Sequence, residues 1–162
     1  GTTIAEALRD RLGDRLQFHG IRAVPEDARA NVGIVVLAEE PYAEGKGDSA
    51  TLAIETGDLL DRVSSKADRL IVVIMSGRPV ILDAVLPRAD AVIEAWLPGT
   101  EGDGIADVLL GEMPFSGTTP YTWPVTPDDA PRTGKEACDG ALFPAGYGLE
   151  GAGGPLGPAA CR

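Results

Sequence analysis

Three short, almost wholly apolar runs decide what this chain can fold into: GIVVLA (Gly33–Ala38), LIVVIM (Leu70–Met75) and AVIEAW (Ala91–Trp96). Each is rich in β-branched residues and bounded by loop signals. They do not alternate polar with apolar, so they read as strands buried on both faces, the habit of parallel sheets. Helical patterns separate them. Leu59, Leu60 and Val63 share one face of a helix running to about Lys66, and Ile105, Val108, Leu109 and Leu110 form the stripe of another that Gly111 closes. Ser76-Gly77-Arg78-Pro79 and Pro98-Gly99 end the second and third strands. Strands alternating with helices at this spacing predict an α/β fold, a mostly parallel sheet flanked by helices.

The chain opens directly into a helix. Thr3-Ile4-Ala5-Glu6 has capping-box spacing, and Ile4, Leu8 and Leu12 recur on one face, so the helix is expected from about Thr3 to Leu12. A short strand is expected around Leu16–Phe18 and a polar helical turn from Ala23 to Asn31. In a parallel sheet an opening helix is a crossover that follows a strand. Either the sheet simply begins with a helix, or its first strand is absent from this chain and is supplied by another. From Met113 onward Pro and Gly dominate, and the chain reads as loop.

The chain's 162 residues suffice for one domain with a sizeable core. With 25 acidic and 14 basic residues the net charge is −11, which argues against nucleic acid or an anionic membrane as partner. No run approaches the roughly 18 apolar residues of a membrane span, and the opening residues do not read as a signal peptide. Cys138 and Cys161, the two cysteines, lie in the Pro/Gly-rich tail and are either free or paired; a disulfide would mean an oxidising compartment. Two such thiols and one histidine, His19, cannot close a four-ligand zinc site, and no metal or cofactor is expected.

The first strand empties into the loop EEPYAEGKGDS (Glu39–Ser49). A strand followed by Gly and Lys could be a phosphate-binding loop, but that motif needs a glycine where Glu40 stands and a Ser or Thr where Gly47 stands. The carboxylates would also repel phosphate. There is no G-x-G-x-x-G after a strand and no G-x-S-x-G around Ser76 or Ser116, and His19 reads as structural. Trp96 ends an apolar run and Trp123 sits beside Pro120 and Pro124, so packing suits them better than sugar stacking. Glu101, Asp103 and Asp107 open a helix, where acidic side chains suit the macrodipole.

Five segments nevertheless occur in an order that resembles glycoside hydrolase family 3: EEPYAEGKGD (Glu39–Asp48), SGRPV (Ser76–Val80), AWLPGTEGDGIADVLLGE (Ala95–Glu112), FSGTTPYTWP (Phe115–Pro124) and LFPAGYGL (Leu142–Leu149). The resemblance is to the second, α/β-sandwich domain of its β-glucosidases and exo-acting β-glucan glucohydrolases, from the opening helix to about Leu149. It implies a sandwich domain over 1–124, without its first strand, and a Pro/Gly-rich C-terminal extension over 125–162. In the family a barrel domain carries a nucleophilic Asp, and the loop P-Y-x-E-x-x-G-D supplies the general acid/base. That pattern falls on Pro41–Asp48 and makes Glu44 the acid/base, with Tyr42 beside the cleft and Glu39 structural or orienting. No segment here resembles the nucleophile.

Retaining hydrolysis needs two carboxyl groups about 5–5.5 Å apart, one attacking the anomeric carbon and one protonating the leaving oxygen. A Glu on an open loop titrates near 4.3, so burial against the barrel and the partner carboxylate must raise it. The resemblance thus implies part of a retaining, exo-acting glucosidase. The expected substrate is a β-glucoside or β-glucan oligosaccharide, the partner the barrel domain, and the location the periplasm or the exterior. Two other readings remain: a non-catalytic carbohydrate-binding or scaffolding module of the same fold, and a flavodoxin-like regulatory domain.

Overall fold

Thr3 starts the first helix, α1 (Ile4–Leu12), by the expected capping box: its hydroxyl accepts the Glu6 N–H at 3.2 Å while the Glu6 carboxylate accepts the Thr3 N–H at 2.9 Å. The computed structural model describes residues 1–20, 23–43, 45, 47–129, 131–133, 140–149 and 155–156. Ile4, Ala7 and Leu8 are the buried face of α1, and Gly13 ends the helix at φ 55°. The strand expected at Leu16–Phe18 does not form. A 3-10 turn (Gly13–Arg15) leads instead into irregular chain, where among the described residues no neighbouring strand pairs with it and Arg9 lies over the exposed Phe18 ring. The helical turn expected over 23–31 shrinks to a turn at Glu26 and Asp27. The Ala30 N–H is drawn into the sheet by the Lys66 carbonyl at 3.0 Å, so Ala30 and Asn31 already belong to a strand.

The sheet is parallel, ordered β1 (Ala30–Ala38), β2 (Ala67–Met75), β3 (Ala91–Glu94). The register pairs Ala38 with Met75 and Ile74 with Glu94, so the three carboxyl ends lie side by side. In the central strand Val72, Val73 and Ile74 are fully buried on both faces, as expected. Strand β1 is different. It pairs only with β2 among the described residues, and Val32 and Val36, 47% and 39% exposed, alternate with buried Val35 and Leu37. Its apolar run predicted burial on both faces, but an edge position leaves one face bare. Helix α2 (Leu59–Ser64) packs on β1 and β2, and Gly33 has no side chain because the Val63 methyl lies where a Cβ would go. Strand β3 stops at Glu94 rather than Trp96, which turns into the left-handed region at φ 53°.

Helix α3 (Gly102–Leu109) is tied to the start of α1. The Gly102 N–H donates to the Thr2 carbonyl at 3.0 Å, the Thr2 N–H to the Thr100 carbonyl at 2.9 Å, and Arg11 grips Asp103 at 2.8 Å. A Cβ on Gly102 would fall on the Thr3 backbone. Asp103 therefore serves the salt bridge as well as the helix dipole.

The residues form two compact units: Gly1–Gly47 with Ile54–Arg78 and Leu82–Ala106, and Asp48–Ala53 with Pro79–Ile81 and Asp107–Arg162. The first holds the parallel sheet. The second is largely irregular, as its Pro and Gly content predicts, and centres on buried Trp123. The Trp123 N–H donates to the Phe143 carbonyl at 2.8 Å, the Leu142 N–H returns to the Trp123 carbonyl, and the indole N–H reaches the Val80 carbonyl at 2.8 Å. Phe143 stacks on Tyr147, and β4 (Gly148–Leu149) pairs antiparallel with β5 (Pro155–Leu156). Cys138 and Cys161 lie outside the described residues.

Candidate active-site loop

Open parallel sheets bind ligands beyond the carboxyl ends of their strands. Here the three ends present Glu39 after β1, Ser76 after β2 and Glu94 at the end of β3. Glu39 is held in the sheet ladder by its own N–H, which donates to the Met75 carbonyl at 3.0 Å. Its carboxylate, only 10% exposed, meets Arg78: Nε and Nη2 donate to Oε1 at 2.9 and 2.8 Å. The other oxygen accepts the Gly77 N–H and the Tyr42 hydroxyl, each at 3.2 Å. Glu39 is thus an anchor with all of this donor set converging on it, in keeping with an orienting role.

Arg78 does more than neutralise Glu39. Its third nitrogen, Nη1, donates to the Gly47 carbonyl at 2.6 Å, and its guanidinium lies 4.5 Å over the Tyr42 ring. Between those two points the Gly47 N–H donates to the Ala43 carbonyl at 2.9 Å, closing the turn 43–47. Gly45 supplies the φ of +80° that the turn requires. Gly47 and Gly77 both flank Tyr42, and a Cβ at either would strike its ring or hydroxyl. Tyr42 is 43% exposed, with one face of its ring under Arg78. Glu44, the expected acid/base, and Lys46 lie outside the described residues; Tyr42 before them and Gly47 after them are contacted by Arg78.

A second carboxyl at this edge has the opposite character. Glu94 Oε1 accepts the Trp96 N–H at 2.8 Å, while Oε2 is buried without a partner. The single Ser76 hydroxyl hydrogen has two acceptors, the Arg78 carbonyl at 2.6 Å and Glu94 Oε1 at 3.3 Å, and the shorter claims it. Burial, aided by the charge of Glu39, pushes the Glu94 carboxyl up to about 7 against those hydrogen bonds. Neither Arg78 nor Glu94 stood out in the sequence, although a lone acid inside an apolar run is a signal that could have found Glu94.

The parallel sheet, with an acid-rich loop leaving its carboxyl edge and anchored by an arginine, defines an α/β domain. The model of the glycosyl hydrolase family 3 C-terminal domain matches residues 1–151. The chain belongs to glycosyl hydrolase family 3, whose C-terminal domain it carries. It is 30% identical over 152 residues to the periplasmic beta-glucosidase of Salmonella typhimurium, covering 78% of this chain and 20% of that protein. It is 32% identical over 151 residues to the lysosomal beta glucosidase of Dictyostelium discoideum, covering 80% and 18%. Among solved structures, a family 3 beta-glucosidase from Neurospora crassa superposes with a TM-score of 0.62 at 29% identity, over 78% of this chain and 18% of that one. The beta-glucosidase from Listeria innocua superposes at 0.61 and 23% identity, over 74% and 20%, and shares the fold. The chain spans about a fifth of the length of the curated relatives it matches.

Proposed function

We propose that this chain supplies the general acid/base of a retaining, exo-acting β-glucosidase or β-glucan glucohydrolase, working with a barrel domain that carries the nucleophilic Asp. The observation that carries the reading is the anchored loop: Tyr42 and Gly47, on either side of Glu44, are both held by Arg78 at the carboxyl edge of the sheet. An acid/base needs this fixed presentation, because protonation of the leaving oxygen falls off steeply with small misplacements. In this reading Glu44 protonates the glycosidic oxygen as the nucleophile attacks, then deprotonates the water that releases glucose. Tyr42 lines the cleft with its exposed ring surface, and residues 125–162 extend the domain. The names of the relatives support a β-glucoside as substrate, and the Salmonella protein supports a periplasmic or secreted location.

The test is chemical rescue in the enzyme that includes the barrel domain. Glu44→Ala should lower kcat/KM on alkyl β-glucosides by about 10²–10⁴-fold. Azide should restore turnover of an activated aryl glucoside and give β-glucosyl azide. Rescue of Glu39→Ala instead of Glu44→Ala would overturn the assignment.

A further inference from the structure

We propose that Arg78 is a positioning residue for the acid/base step, setting where the 43–47 turn presents its carboxyl. The inference rests on the reading of Glu44 given above and adds a residue to it.

One planar guanidinium touches both limbs of the turn, the Tyr42 ring before it and the Gly47 carbonyl after it. The turn is closed by the bond from Gly47 to Ala43, so contacts to Tyr42 and Gly47 hold both of its ends. Arg78 is in turn immobilised on its far side. Glu39 takes two of its nitrogens, and that carboxylate belongs to a residue still bonded into the sheet ladder. The Arg78 backbone is held as well, because the fully buried Ser76 donates its hydroxyl to the Arg78 carbonyl and Pro79 restricts the residue before it to extended conformations. Arg78, itself only 26% exposed, therefore ties the sheet to both limbs of the loop, alongside the direct bond from the Tyr42 hydroxyl to Glu39.

The chemistry of the fork explains why arginine stands here. Three nitrogens point two ways in one plane while the face of that plane stacks on Tyr42. A lysine ammonium at the same place could neutralise Glu39 but could not also reach Gly47 and cover the ring. Gly47 and Gly77 serve the same end, since each clears the space that the Tyr42 side chain fills. Arg78 itself need not touch the sugar.

A positioning role has a kinetic signature that a purely structural salt bridge lacks. Alkyl and sugar leaving groups depart only with protonation, whereas 2,4-dinitrophenolate departs without it. In the enzyme with its barrel domain, Arg78→Lys should lower kcat/KM for an alkyl β-glucoside or a β-linked disaccharide about 10–100-fold, while kcat/KM for 2,4-dinitrophenyl β-glucoside stays close to the parent value. Glu39→Gln, which removes the charge that fixes two of the Arg78 nitrogens, should show the same split and carries the test should Arg78→Lys not fold. Equal losses on both substrates, or no loss on either, would overturn the inference. Glu44→Ala is measured alongside. If it shows the split and Arg78→Lys does not, only the positioning role fails; if Glu44→Ala itself shows neither split nor azide rescue, the acid/base reading fails.

Discussion

Glu94 accepts the backbone N–H of Trp96 at 2.8 Å, and that bond turns the end of β3 through a tryptophan at φ 53°. A bulky residue is strained there and persists only when its surroundings impose the conformation. The same carboxyl is half-starved of partners, with Oε2 buried and unbonded.

That pairing gives a pH-dependent stability. Glu94 titrates at about 7 in the folded chain, pushed up mainly by burial, against 4.5 for the ordinary side chain. Below 4.5 both states hold the proton and the full stability is present. Between 4.5 and 7 the unfolded chain releases its proton first, so stability falls as pH rises, and above 7 the loss is complete. After discounting for the solvent that reaches this carboxyl, the loss is about 2 kcal/mol. Glu94→Gln keeps an acceptor for Trp96 and removes the charge. It should flatten this slope and exceed the parent in stability at pH 8, as read from urea midpoints at pH 4.5 and 8. An unchanged slope would place the titration elsewhere.

Two glycines in α3 should respond to alanine with opposite signs. A Cβ at Gly102 meets the Thr3 backbone, which cannot yield as a side chain does. Gly102→Ala should therefore destabilise by more than about 2 kcal/mol. Gly104 has open space around it and ordinary helical geometry, so Gly104→Ala should stabilise by about 0.4–1 kcal/mol through the unfolded chain. Thermal melts of the two variants decide the matter, and equal shifts would contradict the close approach of Gly102 to the Thr3 backbone.

Gly33 tests the contact between α2 and the sheet. An added methyl would sit 2.6 Å from the Val63 methyl and 3.1 Å from the Ala67 Cβ. Gly33→Ala should cost about 1–3 kcal/mol. Val63→Ala in the same chain should recover part of that loss, a coupling readable from a double-mutant cycle.

Trp123 anchors the Pro/Gly-rich unit through one indole hydrogen bond to Val80. Trp123→Phe leaves that buried carbonyl without its donor and should destabilise by about 2 kcal/mol. Calorimetry of the unfolding transition measures it, and a neutral result would mean that water replaces the indole.

Glu39 read in the sequence as a structural or orienting carboxylate because it stands where a strand ends and a loop begins. Its partner was not legible there. Arg78 lies 39 positions from Glu39 and 31 from Gly47, so only the parallel register of β1 and β2 brings them together. Glu94 read as part of an apolar run, and its burial beside Ser76 depends on the register of β2 with β3.

The sequence by itself determined the elements that short-range chemistry encodes. The capping box starts α1 because Thr3 and Glu6 answer each other's backbone within one turn. The β-branched runs form strands because their side chains suit a pleated, covered surface. The tertiary structure decided what depends on neighbours. β1 and β2 carry nearly the same apolar composition, yet β2 is enclosed and β1 exposes Val32 and Val36, because a strand's burial is set by what lies beside and above it. The short amphipathic stretch at Leu16–Phe18 stayed irregular for the same reason: a strand exists only where another backbone answers its hydrogen bonds.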